Sequence, residues 1–124
     1  SNNIILAPMA GVTDLPFRLI CKEFGAGLIY TEMVSGKAIL FHNRNTEELL
    51  AVDDFERPVA LQLFGCDPDV LANAAAEIEG RHFDILDINM GCPVAKVVNN
   101  HEGSALMKNP KLVEDIFNAT VAQW

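Results

Sequence analysis

Apolar residues gather in four short runs along the chain: Ile4 to Ala7, Leu28 to Thr31, Val59 to Leu63, and Asp84 to Asn89 around Ile85, Leu86 and Ile88. Most are continuous rather than alternating, the pattern of parallel strands covered on both faces, and we read all four as strands. Helical spacing appears between and after them. Phe17, Ile20, Cys21 and Phe24 fall at i, i+3, i+4 and i+7, with Thr13 or Asp14 as N-cap and Gly25 as the stop. Asp67 and Pro68 open a second helix, whose stripe is Leu71, Ala74, Ala75 and Ile78 and whose end is Gly80. A third begins at Asn109-Pro110 and shows Val113, Ile116, Phe117, Thr120 and Trp124 on one face, with no cap before the sequence stops. Ser35 to Leu50 has mixed periodicity and is expected to be helical in part.

Strands alternating with helices build right-handed βαβ units on a parallel sheet, so the fold class is α/β. A doubly wound sheet would carry a glycine-rich phosphate turn after its first strand. Here Pro8-Met9-Ala10-Gly11 matches neither GxGxxG nor GxxxxGK[ST]. A barrel accounts for more. Barrel chemistry sits at the C-terminal strand ends, and each run ends distinctively: Pro8-Met9, Glu32-Met33, Gln62, and Asn89 followed by Cys92. A complete barrel takes about 250 residues. The 124 residues therefore read as one truncated domain, 1–124, the N-terminal half of a TIM (β/α)8 barrel.

Composition narrows the setting. Half the residues are hydrophobic, enough for a core, yet no run approaches the roughly 18 apolar residues of a membrane span. The start lacks a basic segment ahead of an apolar stretch, and Ser1 fits a residue left by tag removal. A cytoplasmic protein without a membrane partner is expected. Cys21, Cys66 and Cys92 form no CxxC pair and no metal spacing with His42, His82 or His101, so free thiols and no metal site are expected. The net charge of −8, with Glu47, Glu48, Asp53, Asp54 and Glu56 clustered, argues against this segment gripping phosphates alone. Only Asn89 to Lys108 tilts the other way, with Lys96 and Lys108 against Glu102.

The sharpest chemical signal runs from Asp87-Ile88-Asn89-Met90-Gly91-Cys92-Pro93-Val94-Ala95-Lys96-Val97 to Gly103-Ser104-Ala105-Leu106-Met107. It resembles the signature of the tRNA-dihydrouridine synthases. Ala7-Pro8-Met9-Ala10-Gly11-Val12-Thr13-Asp14, Thr31-Glu32-Met33 and Gln62-Leu63-Phe64-Gly65 match the same family in order, so the resemblance covers nearly the whole chain. It implies an FMN enzyme that reduces the C5=C6 bond of uridines in tRNA, with NADPH as reductant. In uracil C6 is the electron-poor end of an enone, so hydride arrives there and C5 needs a proton. A thiol ordinarily titrates near pH ~8.5, remaining largely protonated at neutral pH while still giving up its proton. Cys92 is the candidate acid. Gly91 is expected to permit an unusual turn and Pro93 to stiffen it.

The same resemblance implies that Pro8 and Met9 pack by the flavin, that Gln62 bonds its polar edge, that Asn89 lies between flavin and uracil, and that Lys96 meets the substrate. Each residue has a plainer reading. Cys21 and Cys66 fit buried structural thiols, Asn89 and Gln62 could satisfy backbone groups at strand ends, and Glu32 could be a solvated tip or a helix cap. The three histidines fit surface loops, and the methionines other than Met9 fit core filler.

The resemblance also implies parts lying beyond these residues: phosphate loops after strands seven and eight, a basic strand, and a C-terminal helical tRNA-binding domain. The segment alone is expected to be inactive, to meet tRNA mostly through regions it lacks, and to self-associate through open barrel edges. Two readings compete with this one. One is another flavin barrel acting on free pyrimidines, like dihydroorotate or dihydropyrimidine dehydrogenase. The other is a non-catalytic half-barrel assembly unit.

Overall fold

The computed structural model describes residues 2–124; Ser1 lies outside them. Four parallel strands, β1 (Ile5–Leu6), β2 (Leu28–Ser35), β3 (Val59–Phe64) and β4 (Ile85–Ile88), stand side by side in chain order. Helix α1 (Leu15–Glu23) joins the first pair, α2 (Gly36–Leu40) and α3 (Arg44–Leu49) the second, and α4 (Pro68–Ile78) the third. After β4 come α5 (Ala95–Val98), a 3-10 turn over Gly103–Lys108, and α6 (Pro110–Val121). Strictly sequential parallel order is that of barrel staves, whereas a doubly wound sheet reverses direction at a switch point. The sheet is not closed. It is an α/β fold consistent with the N-terminal half of a TIM barrel.

Local chemistry sets the helix boundaries. Asp14 caps α1 by accepting the Phe17 N–H, and Gly25 follows the helix at φ +95, a conformation that costs glycine nothing. Asp67 caps α4 by accepting from Asp69 and Val70, and Asn109 caps α6 by accepting from Leu112. The predicted stripe of α4 is entirely buried. It packs with Ile29, Val34, Val59, Leu61 and Leu63 on one face of the sheet, together with Leu106 and Ile116. The opposite face presents Tyr30, Ala60 and Ile85 in one row and Met33, Gln62 and Asp87 in the next.

Strand β2 carries one residue more than β3 between two aligned pairs. Tyr30 stands opposite Ala60 and Met33 opposite Gln62, so three steps on β2 match two on β3. Uninterrupted alternation would send Ile29 and Val34 to opposite faces, because their spacing is odd. The extra residue reconciles them, and both lie in the core. Thr31, fully buried at the irregularity, accepts the Gln62 N–H at 3.2 Å.

Four expectations are corrected. Phe17, Ile20 and Phe24 are exposed rather than buried, since α1 lies by the open β1 edge and no described element covers that stripe. The buried residue of α1 is Arg18, whose guanidinium meets the fully buried carboxylate of Glu56 at 3.2 Å. Glu56 thus leaves the acidic surface cluster for the interior. Met107 is exposed rather than core filler, and in α6 only Ile116 and Thr120 are buried while Phe117 and Trp124 remain accessible. Among the described residues no helix is long and apolar enough to cross a membrane.

Candidate active site

The parallel register brings the strand tips to one rim, and side-chain hydrogen bonds tie those of β3 and β4 together. Gln62, near the end of β3, is buried and stands opposite Asp87 of β4. Its amide Nε2 donates to Asp87 Oδ2 at 2.6 Å, while its Oε1 accepts Asn89 Nδ2 at 2.9 Å. Asn89 Oδ1 in turn accepts the backbone N–H groups of Gly91 at 3.2 Å and Cys92 at 3.0 Å. The predicted residues Gln62, Asn89 and Cys92 therefore belong to one bonded group.

The loop bearing Cys92 owes its shape to neighbours more than to Gly91. Gly91 does not adopt a left-handed conformation, contrary to the expected unusual turn; the Asn89 side chain closes the turn instead. From the far side the Gly103 turn grips it. Gly103 has φ +61, and a Cβ there would fall 2.6 Å from the Cys92 carbonyl oxygen and 3.1 Å from its Cβ. Ser104 N–H donates to that carbonyl at 3.0 Å. The spacing between the cysteine loop and Gly-Ser-Ala-Leu-Met is thus a packing requirement.

The β1 tip is held separately. Pro8 is half-buried and Met9 exposed, and the turn beyond them folds back as Val12 and Thr13 donate to the Met9 carbonyl. Thr13 Oγ1 accepts the Met9 N–H at 3.2 Å, and Arg18 Nη1 bonds the Thr13 carbonyl at 3.0 Å. Glu32, expected as a solvated tip or helix cap, instead accepts the Gly11 N–H and so links the β1 turn to β2. Lys96 lies outside the bonded group, exposed on α5.

The thiols differ in their surroundings. Burial pushes the Cys66 thiol up, with Glu102 and Asp67 adding to the shift, and its Sγ bonds the Asn100 carbonyl at 3.5 Å. Cys21 is half-buried against the core, as a structural thiol would be. Glu102, just before Gly103, is held above the usual carboxylate range by burial, against the pull of Lys37. His42, His82 and His101 are exposed, the first two facing Glu77 and Asp54.

Asp87, Thr31, Thr13 and Arg18 support the rim and were given no part in the site from sequence. Asp87 stood in the motif, but only the β3–β4 register shows that it faces Gln62.

The sequence profile described as "Dihydrouridine synthase (Dus)" matches residues 5–124. The chain is 49% identical over 122 residues to a "Probable tRNA-dihydrouridine synthase" of Rickettsia conorii, covering 98% of this chain and 37% of that relative. It is 45% identical over 120 residues to a "tRNA-dihydrouridine synthase B" of Pseudomonas aeruginosa, covering 97% of this chain and 36% of the relative. Against the protein of the same description in Pasteurella multocida it is 46% identical over 120 residues, with the same two shares. The chain thus spans little more than a third of the length of these relatives.

Proposed function

The chain belongs to the dihydrouridine synthase family, and from that premise we propose that it forms the N-terminal half of a barrel domain that reduces the C5=C6 bond of uridine in tRNA, using FMN and NADPH. The observation that supports this most is the bonded group of Gln62, Asn89 and the Cys92 loop on the strand-tip rim. That rim suits a flavin ring. Met9 offers an exposed thioether, and Gln62 retains one amide N–H not committed to Asp87.

When bound, FMN supplies the hydride that reaches C6 of uracil. The remaining work falls to the chain's own residues. Pro8 and Met9 pack against the ring, Gln62 donates to its polar edge, and Asn89 lies between ring and base. Cys92 delivers its proton to C5 as negative charge gathers there, the role of a positioned general acid. Lys96, exposed four positions further along, meets the base or a phosphate of the tRNA.

We further propose that the remaining strands, the phosphate loops and most of the tRNA contact come from sequence beyond these residues. The coverage of the relatives supports this, as does the net charge of −8. The 124 residues alone are then inactive and self-associate through their open edges. The test is complementation: the complete reading frame encoding this chain is expressed in a host lacking its own dihydrouridine synthases, and the tRNA is digested and weighed by mass spectrometry. Restored dihydrouridine supports the reading. Unmodified tRNA, with reduction of free uracil by the purified protein, sinks it.

A further inference from the structure

Two amides and a carboxylate form a line across the rim, and each end of that line admits only one polarity. At one end Asp87 offers a carboxylate, which accepts hydrogen bonds and donates none, so Gln62 must turn its N–H₂ toward it. At the other end the N–H groups of Gly91 and Cys92 need an acceptor, so Asn89 must turn its oxygen toward them. Asn89 Nδ2 is then left facing Gln62 Oε1, which is the bond observed at 2.9 Å. Reversing either amide alone would set like groups against each other.

We propose that Asp87 is a positioning residue: it fixes the orientation of Gln62 and, from the end of the line opposite the Gly91 and Cys92 N–H groups, reinforces that of Asn89 and with it the closed form of the Cys92 loop. It acts through these residues and touches no reacting atom. One consequence concerns the ligand. With one Nε2 proton given to Asp87 and one Oε1 lone pair taken by Asn89, Gln62 keeps one free N–H donor. A ligand acceptor at the β3 tip, a carbonyl oxygen or an unprotonated ring nitrogen, can take that N–H. This last step rests on the flavin reading above; the role of Asp87 in shaping the loop does not.

The decisive variants keep the shape and alter the polarity. Asp87→Asn presents either an oxygen or an N–H₂ to Gln62, so only the Gly91 and Cys92 N–H groups still favour the observed polarity, the reversed line becomes accessible, and the Cys92 loop keeps its acceptor only part of the time. The pair Asp87→Asn with Gln62→Glu restores it. The amide introduced on β4 then donates to the carboxylate introduced on β3, whose other oxygen accepts from Asn89 as Gln62 did. This exchange also removes the free N–H donor at the β3 tip.

The complete reading frame is purified in each form and pulsed with iodoacetamide, and labelling is mapped to Cys21, Cys66 and Cys92 by mass spectrometry. Asp87→Asn is expected to raise the Cys92 rate roughly fivefold, the order of factor one lost hydrogen bond carries. Cys21 and Cys66 should stay as they were, and the exchanged pair should return Cys92 to its parental rate. In parallel, FMN titration by fluorescence should show weakened binding in both variants, since the exchanged pair restores the loop but not the donor. An unchanged Cys92 rate in Asp87→Asn overturns the proposal. So does faster labelling of all three thiols, which would make Asp87 a general fold residue, and so does failure of the exchange to restore Cys92. If the thiol pattern holds while the parent takes up no FMN, the flavin reading fails and the role of Asp87 stands.

Discussion

At the scale of single residues, the cysteine loop is bounded by two unlike constraints, a polar one from Asn89 and a steric one from Gly103. They lead to different predictions. Cys92→Ala keeps the loop and removes the proposed proton donor. In the complete protein we expect reduction by NADPH to proceed as in the parent, because no charge develops at C5 in that half of the reaction. Uridine reduction should slow by a factor of ~10² to 10⁴, the usual worth of a positioned acid. Stopped-flow reoxidation by tRNA reads this directly, and a parental rate would remove Cys92 from its assigned role. Gly103→Ala keeps the thiol and moves it. A methyl group 2.6 Å from the Cys92 carbonyl oxygen must displace the backbone, and φ +61 adds strain for any side chain. We expect a loss of about 1–3 kcal/mol in urea unfolding together with faster alkylation of Cys92. Gln62, Asn89 and Cys92 could be proposed as site candidates beforehand because a motif names residue types. Asp87 could not, because its role depends on which residue of a neighbouring strand stands opposite.

At the scale of elements, apolar periodicity told most where an element is covered by its neighbours. The α4 stripe was read correctly to the residue, since its spacing reports a face that is in fact buried. For α1 the same spacing misled, as its stripe lies past the open β1 edge while its buried side chain is a charged one. No rule of hydrophobic spacing finds Arg18. Its partner Glu56 lies 38 positions away, and its pKa sits above the usual carboxylate range because burial outweighs the pull of Arg18. Arg18→Leu should strand that carboxylate at a cost of about 3–5 kcal/mol, read by urea unfolding. The pH dependence follows from the direction of the shift. A carboxyl whose folded pKa is raised favours the fold below its unfolded pKa and loses that advantage as pH rises through the folded one. The deficit of the variant should accordingly be smaller at pH ~5 than at pH ~8. The double variant Arg18→Leu, Glu56→Leu should recover much of the loss, because it leaves no buried charge.

At the scale of the whole molecule, the chain is an open four-stranded wall. Its outer side is packed, and its inner side still shows Ile5 at 55% and Ile85 at 40% exposure. Strands β1 and β4 each keep one edge without a partner among the described residues. Such edges invite pairing. A second copy can lay β4 beside β1 in both directions at once, which closes the surface by two-fold symmetry. The isolated 124 residues should therefore sediment as a dimer whose population falls on dilution. A monomer that persists at high concentration in light scattering would contradict this. The open sheet was anticipated from the barrel reading together with the length, because four strands are half of what a barrel requires.

The extra residue in β2 has a consequence for how this chain tolerates changes in length. Faces on either side of the irregularity are already in step with β3, so excising Glu32 would turn β2 into a regular strand without moving Val34 out of the core. What disappears is the carboxylate that reaches across to Gly11. Excising a residue from β3 is another matter, since it would swing Gln62 to the helix side and bring an apolar neighbour to the rim. Loss of Glu32 should leave a cooperative thermal transition with a loosened β1 turn, whereas loss of Leu61 should abolish the transition. Two neighbouring strands in one sheet thus differ in whether they can be shortened at all, and the one that can is the one holding a residue in reserve.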